Sequence, residues 1–420
     1  FAQEVARVLA ANGFRVFLAR ADCPTPVLSY AVPERGAIAG VMITASHNAP
    51  RYNGVKLKAP YGGSATTEQC HRVEIYLSDN ESRGRGPNLM DYGQAHQAGL
   101  IETFDALPAY EKHLEKLIDR DAIAANPQRL VVDSMYGSGR GVMRSFLAGT
   151  GCEVTEIRGE MNPGFGGVHP EPIRRYLGVL MGAVNTGMGS FGLATDGDAD
   201  RIGAVDERGN FVDPHKIMAL ALRYLVEERG LRGAVVKTVS TTRMLDRLAA
   251  QYGLPVYETP VGFNHIADHM LQEDVLIGGE ESGGMSFKGH IPEGDGILMG
   301  LLLVEILAKA KASLADLVDD LLAKVGPAFY ERHDLRLNHP VDKEHMVERL
   351  AGEAPARIDG QEVLSVSTLD GVKFLLADDS WLLLRPSGTE PVLRVYAEGR
   401  SEEMVSAMLA YGEQVAASIV

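Results

Sequence analysis

Apolar and polar positions alternate along the chain in blocks that predict helices and strands in turn. Residues 2–11 carry apolar side chains at helical spacing and are followed by Gly13, and the apolar run at 15–18 then predicts a short strand. A rhythm of strand followed by a small-residue loop recurs through much of the chain. The pattern predicts an α/β protein made of related units.

A short apolar run at 41–44 stops abruptly at a cluster of small polar residues. We expect a buried parallel strand that ends at Ala45, and ligands in open α/β sheets bind just beyond such strand ends. Ser46 comes directly after this end, and Lys56 and Lys58 follow a turn. A serine in this position is more often a turn or capping residue than a nucleophile. The interpretation of Ser46 as a nucleophile therefore depends on motifs elsewhere in the chain.

Other patterns complete the expected architecture. Thr66 and Thr67 are expected to cap a helix that runs to about residue 77, and residues 102–117 have the spacing of another helix. The pattern changes near residue 327, and residues 327–420 predict a smaller α+β unit.

Three aspartates recur at every second position between two apolar runs. Asp196, Asp198 and Asp200 lie between the runs at 191–194 and 202–205, and carboxylates this close repel one another unless a cation neutralises them. Carboxylate oxygens suit Mg²⁺ or Ca²⁺ better than zinc. Arg201 replaces the turn glycine of an EF-hand, so we reject that motif. A solvated acidic turn is the alternative.

Three glycine-rich segments are candidates for ligand contact. The glycines at 137, 139 and 141 do not fit the spacing of a dinucleotide site, which favours a tight turn over NAD binding. The loop at 278–284 offers Glu280 and Ser282 to sugar hydroxyls, although it equally fits a solvated turn. The segment at 385–390 combines a guanidinium, two hydroxyls and a glycine, which suits either a phosphate or a surface hairpin.

Composition narrows the class of protein. The formal charge of −15 without a basic block argues against nucleic acid or an anionic membrane as a partner. The most apolar run, 297–307, is broken by Glu305 and is too short to span a bilayer. The three scattered cysteines predict no disulfide framework or thiolate zinc site and fit a reducing cytoplasm. We expect a cytoplasmic protein with a small-molecule substrate, as a monomer or small homo-oligomer.

Four motifs occur in an order that resembles the α-D-phosphohexomutases. They are TASHN with YNGVK, DGDADR, GEESGG and RPSGTEP, and they span essentially the whole chain. The resemblance implies three related mixed α/β domains and a smaller α+β domain, similar to TATA-binding protein, around a central cleft. The expected domains are 1–120 (phosphoserine), 121–228 (metal), 229–326 (sugar) and 327–420 (phosphate).

The chain begins without methionine. In the family that it resembles, a strand and a phosphate-contacting loop precede the serine motif, and only 45 residues stand before Ser46 here. We therefore expect the first part of the phosphoserine domain to be missing from this sequence.

The resemblance also implies a role for each matching residue. Ser46 would carry a phosphoryl group and supply the fourth ligand of a Mg²⁺ ion held by the three aspartates, with Lys56 and Arg201 beside them. The remaining matches are the sugar-binding residues Glu280 and Ser282 and the phosphate-binding residues Arg385, Ser387, Gly388 and Thr389.

The general acid or base stays open among three residues. Asn264 stands where the family often has a lysine, which leaves Lys237, Lys288 and His290 as candidates. Each of them equally fits a structural or a phosphate-pairing role, and Lys288 is assigned to substrate binding.

The implied activity is transfer of phosphate between two hydroxyls of one hexose. The enzyme would lend its own phosphoryl group to the substrate, with a sugar 1,6-bisphosphate as intermediate and activator. GEESGG, with Gly284 in place of a histidine, resembles the phosphoglucomutase form, so glucose is the preferred hexose. The alternatives are a phosphomannomutase, a phosphoglucosamine mutase, and a non-catalytic phosphosugar-binding protein on the same scaffold.

Overall fold

The computed structural model describes residues 1–337, 342–387 and 391–419. Its α-helices are α1 (Ala2–Ala11), α2 (Thr25–Glu34), α3 (Thr67–Ser82), α4 (Tyr92–Gln97), α5 (Leu107–Leu114), α6 (Arg120–Ala125), α7 (Val142–Leu147), α8 (Gly178–Asn185), α9 (Pro214–Glu227), α10 (Met244–Tyr252), α11 (Phe263–Gln272), α12 (Gly296–Ala310), α13 (Leu314–Val325), α14 (Lys343–Gly352) and α15 (Glu402–Ile419).

Strands and helices alternate through most of the described chain. The strands are β1 (Val16–Ala19), β2 (Gly40–Ile43), β3 (Val55–Lys58), β4 (Ile101–Phe104), β5 (Arg129–Asp133), β6 (Glu153–Ile157), β7 (Phe191–Thr195), β8 (Ile202–Val205), β9 (Phe211–Val212), β10 (Ala234–Thr238), β11 (Val256–Thr259), β12 (Val275–Gly279), β13 (Met285–Phe287), β14 (Phe329–Arg336), β15 (Arg357–Ile358), β16 (Gln361–Ser367), β17 (Val372–Leu376), β18 (Trp381–Pro386) and β19 (Val392–Gly399). This mixture confirms the predicted α/β class.

The chain divides into two compact units. The first unit consists of Phe1–Ile217, Met270–Gln272 and Ser282–Ala315, and the second consists of Met218–His269, Glu273–Glu281 and Asp316–Val420. The four domain boundaries expected from the resemblance stay predictions.

The first unit holds three sheets. β1 pairs with β4 in parallel, and β2 pairs with β3 in an antiparallel hairpin. A five-stranded sheet has the order β6-β5-β7-β8-β9, in which β6, β5 and β7 are parallel and β7, β8 and β9 are antiparallel. The antiparallel step from β7 to β8 folds the acidic segment at 196–200 into a tight loop at one end of the sheet.

Two helices cover the strands that flank this loop. Leu180 and Val184 of α8 pack with Ala194 of β7 and Val205 of β8, and α12 contacts β7 and β8. Every residue of β7 and β8 is buried, which explains why both strands read as unbroken apolar runs. The loop is therefore attached to a fully buried base.

Helix α12 is buried along nearly its whole length. Residues 296–308 are all buried, and this explains the apolar run that the sequence shows there. Glu305 is the charged exception. Its Oε2 atom accepts a hydrogen bond of 2.8 Å from the backbone N–H of Asp119, which satisfies the carboxylate in the interior.

The second unit contains a parallel sheet and an antiparallel sheet. β10 lies between β11 and β12, both parallel to it. The six-stranded sheet β14-β19-β18-β17-β16-β15 is antiparallel throughout. Leu382 and Leu384 pack beneath α14 and α15, while Trp381 and Leu383 pack on the opposite face with Val239. Burial of both faces accounts for the unbroken run of apolar residues in β18.

Two secondary-structure predictions were right about the type of element but wrong about its partner or its bounds. The first three residues of the run at 41–44 belong to β2, which is antiparallel to β3 and half-buried rather than parallel and buried. A run of four apolar residues does not reveal its partner, and the short turn before β3 closes a hairpin instead. Residues 102–117 begin as strand β4 and become helical only at Leu107, because β1 supplies a pairing partner that the sequence pattern does not show.

The helix predicted from Thr66 is confirmed and runs five residues further than expected. Thr66 accepts from the backbone N–H of Gln69, whose side chain bonds back to the N–H of Thr66.

No helix among residues 1–337, 342–387 and 391–419 is long and apolar enough to cross a membrane.

Candidate active site

Ser46 lies at the tip of the serine hairpin, which consists of β2, β3 and the turn between them. Its φ of 51° is in the left-handed region, where a residue with a side chain is uncommon. The Ser46 N–H donates to Thr44 Oγ1 at 2.8 Å, which holds this conformation. The structure therefore fixes the direction of the Ser46 side chain through its own backbone.

The three aspartates occupy the acidic loop, residues 196–200, between β7 and β8. One carboxylate oxygen from each aspartate lies within 4.8 Å of the others. Asp196 and Asp198 are buried, and Ala199 between the second and third aspartates has a φ of 58°. The loop thus turns all three carboxylates toward one point.

The serine hairpin and the acidic loop are in direct contact. Ser46 Oγ donates to Asp196 Oδ2 at 3.1 Å and lies 3.3 Å from His47 Nδ1. A Cβ atom at Gly197 would lie 2.4 Å from the carbonyl oxygen of Ser46, so only glycine permits this approach. The serine and the aspartates that the sequence singled out separately are therefore neighbours in the first unit.

Lys56 is the closest cation to the acidic loop among the described contacts. Its Nζ atom lies 2.9 Å from Asp198 Oδ2 and 2.9 Å from Asp200 Oδ2. Burial acts to lower the pKa of Lys56, but the charges of Asp200 and Asp198 outweigh it and raise the pKa above its usual value. Lys56 therefore stays charged and neutralises part of the acidic loop.

Two threonines that the sequence did not single out complete the surroundings of Asp198. Thr25 Oγ1 and Thr44 Oγ1 donate to Asp198 Oδ2 at 2.8 and 3.0 Å. The Thr25 N–H also donates to the Asp198 carbonyl at 2.9 Å. Thr44 lies in the serine motif, but Thr25 lies far from Asp198 in the sequence, where no local pattern connects the two.

The carboxylates respond differently to burial. Burial raises the pKa of Asp196 well above its usual value, and the charges of Asp200 and Asp198 raise it further, with Arg201 and Lys56 opposing them. Burial also acts to raise the pKa of Asp198, but Lys56 outweighs it and holds the pKa below the usual range. Burial and the neighbouring carboxylates therefore disfavour the charged form of Asp196, while Lys56 favours the charged form of Asp198.

A divalent cation fits this donor set. Asp198 Oδ1 and Asp200 Oδ1 are buried and accept no hydrogen bond within the part of the chain that the structure describes. Buried carboxylate oxygens without a partner are costly, and hard oxygen ligands are the ones that Mg²⁺ and Ca²⁺ prefer. The assignment of the aspartates as metal ligands stays a prediction that this geometry supports.

Arg201 holds the end of the acidic loop. Its N–H donates to Asp196 Oδ1 at 3.2 Å, and its guanidinium lies 3.8 Å from Asp200 and 3.9 Å from Glu171. Arg201 forms a β-bridge with Gly284, which brings the segment after Ser282 beside the acidic loop. The end of the loop at 278–284 is thus anchored beside the acidic loop within the first unit.

His290 belongs to a buried polar cluster. Its Nε2 atom lies 3.0 Å from Asp295 Oδ2, which also accepts from the Tyr110 hydroxyl at 2.7 Å, and its Nδ1 atom lies 3.0 Å from His113 Nε2. Burial lowers the pKa of His113 to about 4, with the charge of His290 acting in the same direction. These contacts favour the structural role that the sequence left open for His290. Lys288 is half-buried in the same unit.

Lys237 lies in the second unit with no exposed side-chain surface. Its Nζ atom is 2.5 Å from Asp246 Oδ2 and 3.6 Å from Glu258 Oε2, and it donates to the carbonyl of Thr242 at 3.2 Å. A lysine buried among two carboxylates is an internal ion pair. The catalytic role of Lys237 stays a prediction, and its surroundings favour the structural alternative.

In the second unit, Glu280 and Arg385, which the resemblance assigns to sugar and phosphate, bond to a shared set of neighbours. Glu280 Oε1 accepts from the Gly262 N–H at 2.9 Å, and Arg385 Nε donates to Asp370 Oδ2 at 2.6 Å. The Val261 N–H donates to the same Asp370 oxygen at 3.1 Å. Ser387 is half-buried at the end of β18, and Gly388 and Thr389 lie outside the described residues.

Substitution of Gly197 tests the close approach of the two loops. Gly197→Ala is expected to lower the melting temperature by several degrees, because the added methyl group meets a backbone oxygen, and overpacking costs about 1–3 kcal/mol. Thermal unfolding followed by circular dichroism measures this. Gly182→Ala is the matched control, since a Cβ there meets nothing within 4 Å and alanine favours the helix α8. An unchanged melting temperature for Gly197→Ala would contradict the contact.

Comparison with protein families matches almost the whole chain. Four domain families match in order, described as phosphoglucomutase/phosphomannomutase alpha/beta/alpha domains I, II and III and the C-terminal domain. They cover residues 1–83, 108–209, 213–325 and 337–411. The predicted composition of three α/β domains and a different C-terminal domain is confirmed.

Curated relatives share about a third of their residues with this chain. A phosphoglucomutase/phosphomannomutase of Thermococcus kodakarensis is 32% identical, over 93% of this chain and 81% of that protein. A probable phosphoglucosamine mutase of Methanothermobacter thermautotrophicus is 32% identical, over 90% of this chain and 79% of that protein. A phosphoglucomutase of Komagataeibacter xylinus is 30% identical, over 93% of this chain and 76% of that protein.

A solved structure agrees with the same relationship. The crystal structure of a putative phosphomannomutase from Thermus thermophilus has a TM-score of 0.83 at 36% identity, over 98% of this chain and 86% of that chain. These matches confirm the resemblance found in the four motifs. The chain therefore belongs to the phosphoglucomutase/phosphomannomutase family, whose members are isomerases.

Proposed function

We propose that this chain interconverts glucose 1-phosphate and glucose 6-phosphate through a phosphorylated Ser46 and a magnesium ion held by the acidic loop. The observation that carries the proposal is the contact of 3.1 Å between Ser46 Oγ and Asp196, inside a group of three carboxylates. A hydroxyl beside three carboxylates suits phosphoryl transfer, because a divalent cation bound by the carboxylates would stabilise the charge of a phosphoryl group on that hydroxyl.

The reaction conserves phosphate because the enzyme and the sugar exchange it. The free hydroxyl of the sugar phosphate attacks the phosphorus on Ser46, the bond from Ser46 Oγ to phosphorus breaks, and the hydroxyl proton passes to a base. Ser46 Oγ leaves with a proton, and the resulting 1,6-bisphosphate turns round. Ser46 Oγ then attacks the other phosphorus and gives up its proton, the bond from that phosphorus to the sugar oxygen breaks, and the sugar oxygen takes up a proton from the acid. The sugar is isomerised and Ser46 is phosphorylated again.

The residues near Ser46 supply charge for this transfer. Lys56 provides a fixed positive charge, and the N–H of Arg201 holds Asp196 in position. Asp196, Asp198 and Asp200 would hold magnesium with an oxygen of phosphorylated Ser46. When bound, magnesium supplies positive charge that stabilises the oxygens of the transferring group.

Residues of the other motifs are assigned to the substrate. Glu280 and Ser282 would bind sugar hydroxyls, and Arg385 and Ser387 would bind the phosphate that is not reacting, with Gly388, Thr389 and Lys288 assisting. Arg385 suits this role because its planar guanidinium matches phosphate geometry. The acid or base stays open between His290, Lys237 and Lys288.

A phosphoglucosamine mutase is the second candidate. Several archaeal relatives at 30–33% identity carry that name, including those of Methanopyrus kandleri and Methanococcus maripaludis. Glucose is preferred here because the sugar motif reads GEESGG, with Gly284 where a histidine would favour the other sugars. The three candidate hexoses differ at C2, so that position decides between them.

The phosphoserine is tested by peptide mass spectrometry after the whole chain has been incubated with a phosphoryl donor. Incubation with glucose 1,6-bisphosphate is expected to add one phosphoryl group to the peptide that contains Ser46, and an excess of the substrate glucose 1-phosphate should remove it. Ser46→Ala should lose turnover by several orders of magnitude and stay folded, because the nucleophile is removed while the other contacts of the serine hairpin remain. Ser64→Ala, in the same region of the first unit, is the control. Phosphosugar binding without phosphorylation or turnover would instead support the non-catalytic alternative.

The metal site is tested by calorimetric titration with Mg²⁺ alone. Asp198→Asn is expected to weaken binding more than about tenfold, because it removes the charge of one proposed ligand. Asp121→Asn removes the same charge from an exposed position in α6 and should leave binding unchanged. Equal affinities for wild type and Asp198→Asn would refute the ligand assignment.

The sugar preference is tested by steady-state kinetics. We compare kcat/KM for glucose 1-phosphate, mannose 1-phosphate and glucosamine 1-phosphate, each with its own 1,6-bisphosphate as activator. Glucose 1-phosphate is expected to be the best substrate, by about tenfold or more, since a site that hydrogen-bonds one C2 substituent rejects another. A higher value for mannose or glucosamine would replace glucose in the proposal.

A further inference from the structure

Asp370 lies at the centre of a hydrogen-bonded chain that joins two motifs of the second unit. Its side chain is 5% exposed, in the turn between β16 and β17. Asp370 Oδ2 accepts from Arg385 Nε at 2.6 Å and from the Val261 N–H at 3.1 Å. One carboxylate oxygen thus holds the guanidinium assigned to phosphate and the backbone of the segment 260–263.

The neighbouring peptide group continues the chain to Glu280. The Gly262 N–H, one residue beyond Val261, donates to Glu280 Oε1 at 2.9 Å. Gly262 has a φ of 136°, which residues with a side chain rarely adopt, and a Cβ atom there would lie 2.6 Å from Asn264 Oδ1. Two consecutive N–H groups are therefore directed at two different carboxylates, and glycine permits the change of direction between them.

The position of Asp370 is set by the sheet. Gly371 has a φ of 91°, and a Cβ atom there would lie 2.4 Å from the carbonyl oxygen of Leu384, so the turn packs tightly against β18. Arg385 follows Leu384 on that strand. The carboxylate and the guanidinium are thus held on adjacent, buried parts of one rigid sheet, which favours a fixed bond geometry.

Lys343 gives Asp370 a second, more exposed partner. Its Nζ atom lies 2.7 Å from Asp370 Oδ1, but the lysine side chain is 51% exposed. Burial acts to raise the pKa of Asp370, while the hydrogen bonds from Lys343 and Arg385 lower it below its usual value. Asp370 is therefore charged at neutral pH, and its buried oxygen Oδ2 carries the two bonds that orient the motifs.

We propose that Asp370 is a positioning residue that couples phosphate recognition by Arg385 to sugar recognition by Glu280 through the backbone of Val261 and Gly262. This inference rests on the proposed roles of Arg385 and Glu280. A substrate phosphate that fixes Arg385 would thereby fix the peptide group that holds the sugar-reading carboxylate. Selection between sugars then depends on a residue that touches neither the sugar nor its phosphate.

Asp370→Asn is the primary test. The amide offers only one carbonyl oxygen and no charge, so it cannot serve Arg385, Val261 and Lys343 as the carboxylate does. The KM for glucose 1-phosphate is expected to rise about tenfold or more. The ratio of kcat/KM for glucose 1-phosphate to that for mannose 1-phosphate is expected to change at least about threefold.

A double-mutant cycle isolates the coupling. Glu280→Gln should cost at least about threefold less in kcat/KM in the Asp370→Asn background than in the wild type, because the shared backbone link is already disturbed. Lys343→Gln is the matched control. It removes a cation from the other oxygen of the same carboxylate, at an exposed position where an ion pair contributes little, and should leave KM and the sugar ratio unchanged.

Gly262→Ala provides a second route that does not alter Asp370. The methyl group should turn the Gly262 N–H away from Glu280 and shift the sugar ratio in the same direction as Asp370→Asn. Fluorescence of Trp381, the single tryptophan and a buried residue of this unit, reports whether each variant is folded. A folded Gly262→Ala with an unchanged sugar ratio would overturn the proposal.

Arg385→Ala distinguishes the coupling through Asp370 from the proposed phosphate-binding role of Arg385. A raised KM in Arg385→Ala, with additive effects of Asp370→Asn and Glu280→Gln, would overturn the coupling and leave the proposed function intact. An unchanged KM in Arg385→Ala would instead remove the phosphate-binding role on which the coupling rests. Non-additive effects together with a raised KM in Arg385→Ala support both.

Discussion

The candidate site of the first unit is built around three carboxylates that repel one another. One oxygen of each lies within 4.8 Å of the others in a largely buried loop. Such a group is unstable in a low-dielectric interior unless positive charge and hydrogen-bond donors surround it. Lys56, Thr25 and Thr44 converge on Asp198, and Ser46 and the N–H of Arg201 converge on Asp196. These donors come from α2, from the serine hairpin and from Arg201 at the end of the acidic loop, so groups from separate parts of the first unit stabilise one loop.

Backbone strain accompanies this arrangement. Ser46 and Ala199 both have positive φ angles, which cost more for residues with a side chain than for glycine. The two residues lie on the loops that meet at Gly197, where backbone approaches backbone. Strain of this kind persists only where the surroundings determine the conformation, and here the hydrogen bonds and the buried strands β7 and β8 do so.

Lysines in the interior illustrate how position decides role. Lys56 and Lys58 are two residues apart on β3, yet Lys56 faces the acidic loop while Lys58 pairs with Glu293 at 2.5 Å and has no exposed side-chain surface. In the second unit, burial and the charge of Lys237 lower the pKa of Lys373 to about 8. Of these four lysines, Lys56 is the one that contacts the acidic loop.

Much of the candidate site could be predicted from the local sequence. The serine after an apolar run, the three alternating aspartates between buried strands, and the capped helix at Thr66 each depend on residues close together in the chain, so spacing alone predicts them. The order of the four motifs along the chain identified the family. Lys56 was predicted in the same way, because it lies on the strand that follows Ser46 across the turn of the serine hairpin.

Other features depended on contacts that no local pattern encodes. The sequence by itself determined the class of fold, the acidic loop and the family, because periodicity and short motifs record local geometry. Only the tertiary structure decided that β2 is antiparallel, that Thr25 completes Asp198, that Lys237 is buried in an ion pair, and that Asp370 joins Arg385 to Val261. Those outcomes depend on groups brought together from as many as 173 positions apart, and folding, rather than spacing, decides which of them meet.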